Sequence, residues 1–165
     1  LTNAVVLPGM RGIDPHQAIN DGRIDKLVPQ LKAVFDGFMN HMTTTVDTAT
    51  GKVLADDVVV TISGDTPKTM RLAQPNNEWA DASPANHLYV LGGGHLQTGW
   101  FGSIDTNDVA HGFDGTGADV PYDEVATTKL ALASVAYAIA KGDERLISQF
   151  ANGVTAPGIF KPTNQ

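Results

Sequence analysis

The chain contains no cysteine among its 165 residues. This absence excludes disulfides, thiolate zinc sites and a cysteine nucleophile, so a bound metal would take oxygen and imidazole ligands. Positive charge is also scarce, because 11 lysines and arginines stand against 18 aspartates and glutamates, for a formal net charge of −7. Nucleic acids and anionic membranes bind concentrated positive charge, and the sequence has no cluster of Lys and Arg. We therefore expect neither as a partner.

Long apolar runs are absent as well. No stretch approaches the ~20 apolar residues that a membrane-spanning helix needs, so we expect no membrane span. Apolar residues make up 42% of the chain and charged residues 18%, which is typical of a globular protein. The length predicts a single domain over residues 1–165, with a sizeable core.

Helical periodicity is present in two segments. Apolar residues recur every three or four positions from Ile24 to Met42, which predicts an amphipathic helix that buries one broad face. Pro29 lies inside this segment, so we expect an irregular first turn and a regular helix from about Pro29 to Met42. A second helix is predicted from Asp123 to Ala140, with Asp123 as its N-cap and Lys141-Gly142 as its end.

The remaining segments predict strands and loops. Residues 4–7, Val58–Ile62 and Leu88–Leu91 have strand character, and the second is typical of a strand buried on both faces of a parallel sheet. Residues 102–121 are polar and glycine-rich and predict a loop, and residues 151–165 predict an extended tail.

This order of elements predicts an α/β fold, with a mostly parallel sheet and flanking helices. Three strands are few for such a sheet. We therefore expect an incomplete half of a larger domain, completed by a missing N-terminal half or a companion chain.

Acidic and imidazole side chains lie near the predicted strands, where open α/β sheets place their ligands. The candidate metal ligands are Asp14, His16, Asp65, Asp81 and His87. Each has a structural alternative. Asp14 can start a turn with Pro15, His16 can be exposed, the other two aspartates can cap loops, and His87 can be a strand-edge residue.

Two further residues are candidates for contact with a substrate. Lys68 would offer positive charge to an anionic substrate, and His95 follows a glycine triplet at the end of a predicted strand. The triplet Gly92–Gly94 lacks the Lys-Ser/Thr of a phosphate-binding loop and predicts a tight turn. The Gly-x-Ser-x-Gly pattern of serine hydrolases is absent, and no nucleophile is identifiable. The acidic loops over residues 105–124 leave a calcium-dependent binding domain as a further alternative.

Several short motifs occur in a defined order along the chain. They are Gly12-Ile13-Asp14-Pro15-His16, Ser63-Gly64-Asp65-Thr66-Pro67-Lys68-Thr69, Asp81-Ala82-Ser83, Val90-Leu91-Gly92-Gly93-Gly94 and a turn from Gly99 to Gly102. This order, over roughly residues 4–140, resembles the C-terminal part of an uncharacterised bacterial family of exported, sulfatase-related proteins in the alkaline phosphatase superfamily. The family's corresponding first three motifs are Gly-Trp-Asp-Thr-His, Ser-Glu-Phe-Gly-Arg-Thr and Asp-His-Gly.

The resemblance implies an alkaline-phosphatase-like fold and a periplasmic or extracellular location. It also implies the C-terminal portion of a metal-dependent hydrolase of phosphate or sulfate esters, with a divalent Zn, Ca or Mg ion held by the candidate ligands. However, Ala82 stands where the family has histidine. The alternative is therefore a non-catalytic relative with a degraded metal site that acts as an assembly or interaction module, with a homo-oligomer as one form. Whether the chain is an enzyme stays open at this point.

Overall fold

The computed structural model describes residues 23–63, 87–107, 109–147 and 154–162. Within these ranges the chain forms helices and antiparallel strand pairs. The helices are α1 (Arg23–Thr44), α2 (Glu124–Ile139) and α3 (Glu144–Ile147), with a 3-10 turn at Leu54–Asp56. The strands are β1 (Val59–Ser63), β2 (Leu88–Gly92), β3 (Ser103–Ile104), β4 (Ala110–Phe113) and β5 (Asp119–Pro121).

The strands form two small sheets. β1 and β2 pair antiparallel, with Val59 opposite Gly92 and Ser63 opposite Leu88. β3, β4 and β5 form an antiparallel sheet in that order, in which His111 lies opposite both Ser103 and Pro121. All pairs of named strands in the described ranges are antiparallel, so the prediction of a mostly parallel, alkaline-phosphatase-like α/β sheet is wrong.

The reason for this error lies in β1. Its residues are β-branched and apolar, which favours a strand but does not determine its partner or the burial of its two faces. The last three residues of β1, Thr61 to Ser63, are exposed. The apolar run therefore reflects strand propensity, whereas the parallel prediction required burial on both faces.

The predicted loop over residues 102–121 is also wrong, because the strands β3, β4 and β5 lie within it. Turns centred on aspartate join these short strands. Asp105 accepts hydrogen bonds from the N–H groups of Asn107 and Val109, and Asp114 accepts from the N–H of Thr116. The polar and glycine residues that suggested a loop belong to these turns.

The predicted second helix is confirmed at both ends. The side chain of Asp123 accepts a hydrogen bond of 2.9 Å from the N–H of Ala126, as an N-cap does. After the helix, Lys141 and Gly142 take φ angles of 52° and 82°, the left-handed conformation that commonly ends helices. The first helix is longer than predicted, since α1 begins at Arg23 and continues through Pro29.

The core of the described structure joins α2 to the segment 154–162. Its buried apolar side chains are Ala133, Tyr137, Ile147, Ala156, Ile159 and Phe160. Residues 95–97 close this core, because Leu96 forms a β-bridge with Phe160 and the N–H of Gln97 donates to the Ile159 carbonyl at 2.7 Å. α2 also contacts β1, β2 and β4. One helix and the segment 154–162 therefore hold the two small sheets in place.

Candidate functional site

Most of the predicted metal site lies outside the described residues. This applies to the candidate metal ligands Asp14, His16, Asp65 and Asp81, and also to Lys68, the candidate for contact with a substrate. Within the ranges that the structure describes, no group of three or more His, Asp or Glu side chains could hold a metal ion. The divalent metal therefore stays a prediction from the sequence.

The structure describes two of the predicted site residues, His87 and His95, and they lie at opposite ends of β2. His87 immediately precedes the strand, and its ring packs against Trp100 with the centroids 5.1 Å apart. His95 follows the strand, and its backbone carbonyl accepts a hydrogen bond of 2.9 Å from the N–H of Lys161. A strand of five residues is roughly 17 Å long, so the structure does not bring these two histidines to one ligand.

The glycine triplet forms the predicted tight turn. Gly93 and Gly94 take φ angles of 47° and 77°, which side chains disfavour. A Cβ at Gly93 would also lie 3.0 Å from the His95 ring. The backbone conformation of the turn is therefore enough to explain these glycines, and a bound phosphate is not needed to explain them.

Ser103, Asp119 and His111 form a polar cluster on the three-stranded sheet that the sequence did not reveal. The Ser103 hydroxyl donates to Asp119 at 2.5 Å, and His111 Nδ1 lies 3.3 Å from the other carboxylate oxygen. The strand register explains this contact. Ser103 and Pro121 both lie opposite His111, one on each side of it, and Asp119 precedes Pro121 by two residues. Its side chain therefore projects from the same face of the sheet.

The order of this cluster differs from that of a nucleophilic triad. In such a triad the imidazole lies between the hydroxyl and the carboxylate, so that it can take the hydroxyl proton. Here Asp119 lies between Ser103 and His111, and the hydroxyl donates to the carboxylate. In this arrangement Asp119 orients both neighbours, and His111 is not positioned to activate the Ser103 hydroxyl.

In the two turns of this sheet, Asp105 and Asp114 accept hydrogen bonds from N–H groups of their own turn. A hydrogen bond from the Val109 N–H is the main cause that lowers the pKa of Asp105, and the Thr116 hydroxyl is the main cause for Asp114. Oδ1 of Asp105 accepts two hydrogen bonds within its turn, and Oδ1 of Asp114 accepts three. The geometry therefore gives these aspartates a role in shaping the turns.

The apolar face of α1 is contiguous along the helix and mostly exposed. We define it as Leu27, Val28, Leu31, Val34, Phe35 and Phe38. Val34 is 67% exposed and Leu31 47%, whereas Met42, near the end of the helix, is buried. The expectation that this helix buries one broad face is therefore wrong for most of its length. Among the other described elements, α1 packs chiefly against the 3-10 turn at Leu54–Asp56.

Comparison of the chain with protein-family models, curated proteins and solved structures gave no match. The resemblance to the exported, sulfatase-related family, the hydrolase activity and the location therefore remain predictions. Among the described residues, no helix combines the length and the apolar character that crossing a membrane requires.

Proposed function

We propose that this chain is an assembly module that pairs with a second copy of itself through the apolar face of α1. The observation that carries this proposal is the exposure of that face on a helix of 22 residues. Such a helix is about 33 Å long, which is enough to present several turns to a partner. Exposed apolar patches that are contiguous and flanked by polar residues are typical of interaction surfaces.

The spacing along α1 favours another helix as the partner. Leu27, Leu31, Val34 and Phe38 follow one another at intervals of four, three and four residues. These are the a and d positions of a heptad, which interlock with the same positions of a facing helix. Val28 and Phe35 widen the face on one side, and the ion pair between Lys32 and Asp36 lies beyond them, at the polar border of the face.

The charge distribution favours a second copy of the chain. Two copies carry −7 each and repel one another over most of their surfaces. α1 differs from this average, because it contains three basic residues against two acidic ones. By contrast, residues 103–124 contain six acidic residues and no basic one. A twofold pair that uses the same face on both copies therefore meets where the repulsion is weakest.

The size of the face predicts a dimer of moderate strength. Complete burial of a Val, Leu or Phe side chain contributes about 1.5–3 kcal/mol. Leu31, Val34 and Phe38 are one third to two thirds exposed, so each gains only part of that on pairing. Association itself costs an estimated 4–15 kcal/mol. We therefore expect dimers that dissociate on dilution through the micromolar range.

The test is light scattering on the full chain during size-exclusion chromatography, at about 1 to 100 µM protein. We expect a dimer at the upper end, and Val34→Asp should shift the protein to monomer because it places a charge in the centre of the apolar face. The matched control is Ala33→Asp, which adds the same charge on the opposite side of α1 and should leave the dimer intact.

Circular dichroism on both variants checks that the fold is retained. Phe38→Asp repeats the test one helical turn further along α1. A wild-type chain that is monomeric at every concentration would overturn the proposal, as would a dimer that survives both Val34→Asp and Phe38→Asp.

A further inference from the structure

Three rings meet at and near the start of β2, and together they form what we call the aromatic cluster: His87, Tyr89 and Trp100. The Trp100 ring lies 5.1 Å from that of His87 and 6.1 Å from that of Tyr89, the latter at an interplanar angle of 64°. Trp100 is 62% exposed and Tyr89 51%. A tryptophan side chain is usually largely buried, so this exposure requires an explanation.

The local fold fixes these rings in position. His87 and Tyr89 are two residues apart at the start of β2, so their side chains project from the same face of that strand. Trp100 packs across this pair, while the next residue, Phe101, turns inward against Phe113 and the core. The indole is therefore held by its neighbours, and a ligand that stacks on it would cost little further ordering.

From this geometry we propose that the aromatic cluster is a binding site for a neutral saccharide. The apolar C–H face of a pyranose ring stacks on the exposed face of the Trp100 indole. The hydroxyl of Tyr89, on a half-exposed side chain, exchanges hydrogen bonds with the hydroxyl groups of the sugar. This site lies outside α1, so it goes beyond the proposed assembly function and stands or fails independently of it.

Charge and ring spacing favour this class of ligand over two others. Nucleobases also stack on tryptophan, but their phosphates require positive charge, and the chain carries −7. Dedicated sites for quaternary ammonium ions are cages in which the faces of several rings surround the cation. In the aromatic cluster the rings already contact one another, so such a cation would have to separate them. A sugar needs only the outer indole face.

The experiment is an NMR titration of the full-length chain that follows the indole N–H signals. The sequence has two tryptophans, Trp79 and Trp100, and Trp79→Phe identifies the signal of each. The probes are the neutral trisaccharides cellotriose, maltotriose and N,N′,N″-triacetylchitotriose, each raised to about 20 mM, because we expect one stacking ring to give a dissociation constant on the order of millimolar. We expect at least one of them to shift the Trp100 signal saturably.

Two variants connect that shift to the aromatic cluster. Trp100→Ala should weaken binding, followed on backbone amides of β2, at least about tenfold, and Tyr89→Phe should weaken it a few-fold through the lost hydroxyl. Leu132→Ala, at an exposed position of α2, is the control and should bind as the wild type does.

Any of three results would overturn the proposal. They are an unmoved Trp100 signal with all three sugars, binding unchanged in Trp100→Ala, and a Trp100 shift produced by tetramethylammonium chloride but by no sugar. Because α1 is unchanged in these variants, their dimerisation reports on the assembly proposal separately.

Discussion

The ring of Tyr137 stacks on the ring of Phe160, with the centroids 4.2 Å apart and the planes 13° from parallel. Tyr137 is fully buried in the last turn of α2, and its hydroxyl donates a hydrogen bond to the carbonyl of Lys161. Burial raises the pKa of this hydroxyl, which keeps it protonated as the donor. This pair therefore joins α2 to a segment that is distant in sequence.

Truncation of this stack should destabilise the protein strongly. We expect Phe160→Ala to lower the free energy of unfolding by about 3–5 kcal/mol, because it leaves a cavity beside Tyr137. Tyr137→Phe removes only the hydroxyl and should lower it by about 1 kcal/mol. The control is Leu132→Ala on the exposed side of α2, expected within about 0.5 kcal/mol. Chemical denaturation measures all three, and equal effects of Phe160→Ala and Leu132→Ala would contradict the described core.

Two glycine substitutions should have opposite effects on stability. A Cβ at Gly158 would overlap the backbone carbonyl oxygen of Thr116, so Gly158→Ala should destabilise the protein by forcing the two segments apart. Gly37 lies inside α1, and a Cβ there would have nothing within 4 Å. Gly37→Ala should stabilise the protein by about 0.5–1 kcal/mol, because alanine favours a helix. Thermal unfolding of both variants gives the two signs directly, and a stabilising Gly158→Ala would refute the close approach.

The ends of α2 could be predicted from the sequence because they depend on local chemistry. An aspartate that accepts from an N–H three residues later, and a glycine that adopts a positive φ, act within one turn of the chain. The tight turn at Gly93 and Gly94 belongs to the same class. Such features require no knowledge of distant residues.

Strand pairing and burial could not be predicted in the same way. The sequence of β1 favours a strand, but its partner depends on residues far along the chain, and the structure pairs it antiparallel with β2. The periodicity of α1 identifies its apolar face but not what covers it. The meeting of Ser103, His111 and Asp119 follows from the register of three strands in a segment whose turn residues predicted a loop.

The N-cap of α2 provides a local test of stability. Asp123→Ala removes the acceptor of the Ala126 N–H and should lower the free energy of unfolding by about 1 kcal/mol. Asp123→Asn keeps a side-chain oxygen at this position and should recover most of that loss. Thr128→Ala, at an exposed interior position of the same helix, is the control and should be neutral or slightly stabilising. If Asp123→Ala unfolds at the same temperature as this control, the cap contributes nothing.

Stability should fall in acid because of the turn at Asp114. The Thr116 hydroxyl at 2.6 Å is the main cause that lowers the pKa of this carboxyl below 3.8, and the N–H groups of Thr116 and Ala118 lower it further. The folded state therefore favours ionised Asp114, and this stabilisation is present above the ordinary carboxyl pKa and is lost as the pH falls through the lowered one.

Thr116→Val removes the main donor while it keeps the size of the side chain. It should move the NMR titration midpoint of the Asp114 carboxyl upward, toward its ordinary value, and make the loss of thermal stability on acidification smaller. Thr106→Val, in the neighbouring turn where Asp105 is bonded by Asn107 and Val109, is the matched control and should leave the Asp114 midpoint in place. An Asp114 midpoint that is the same in Thr116→Val and in the wild type would show that the hydroxyl does not control this carboxyl.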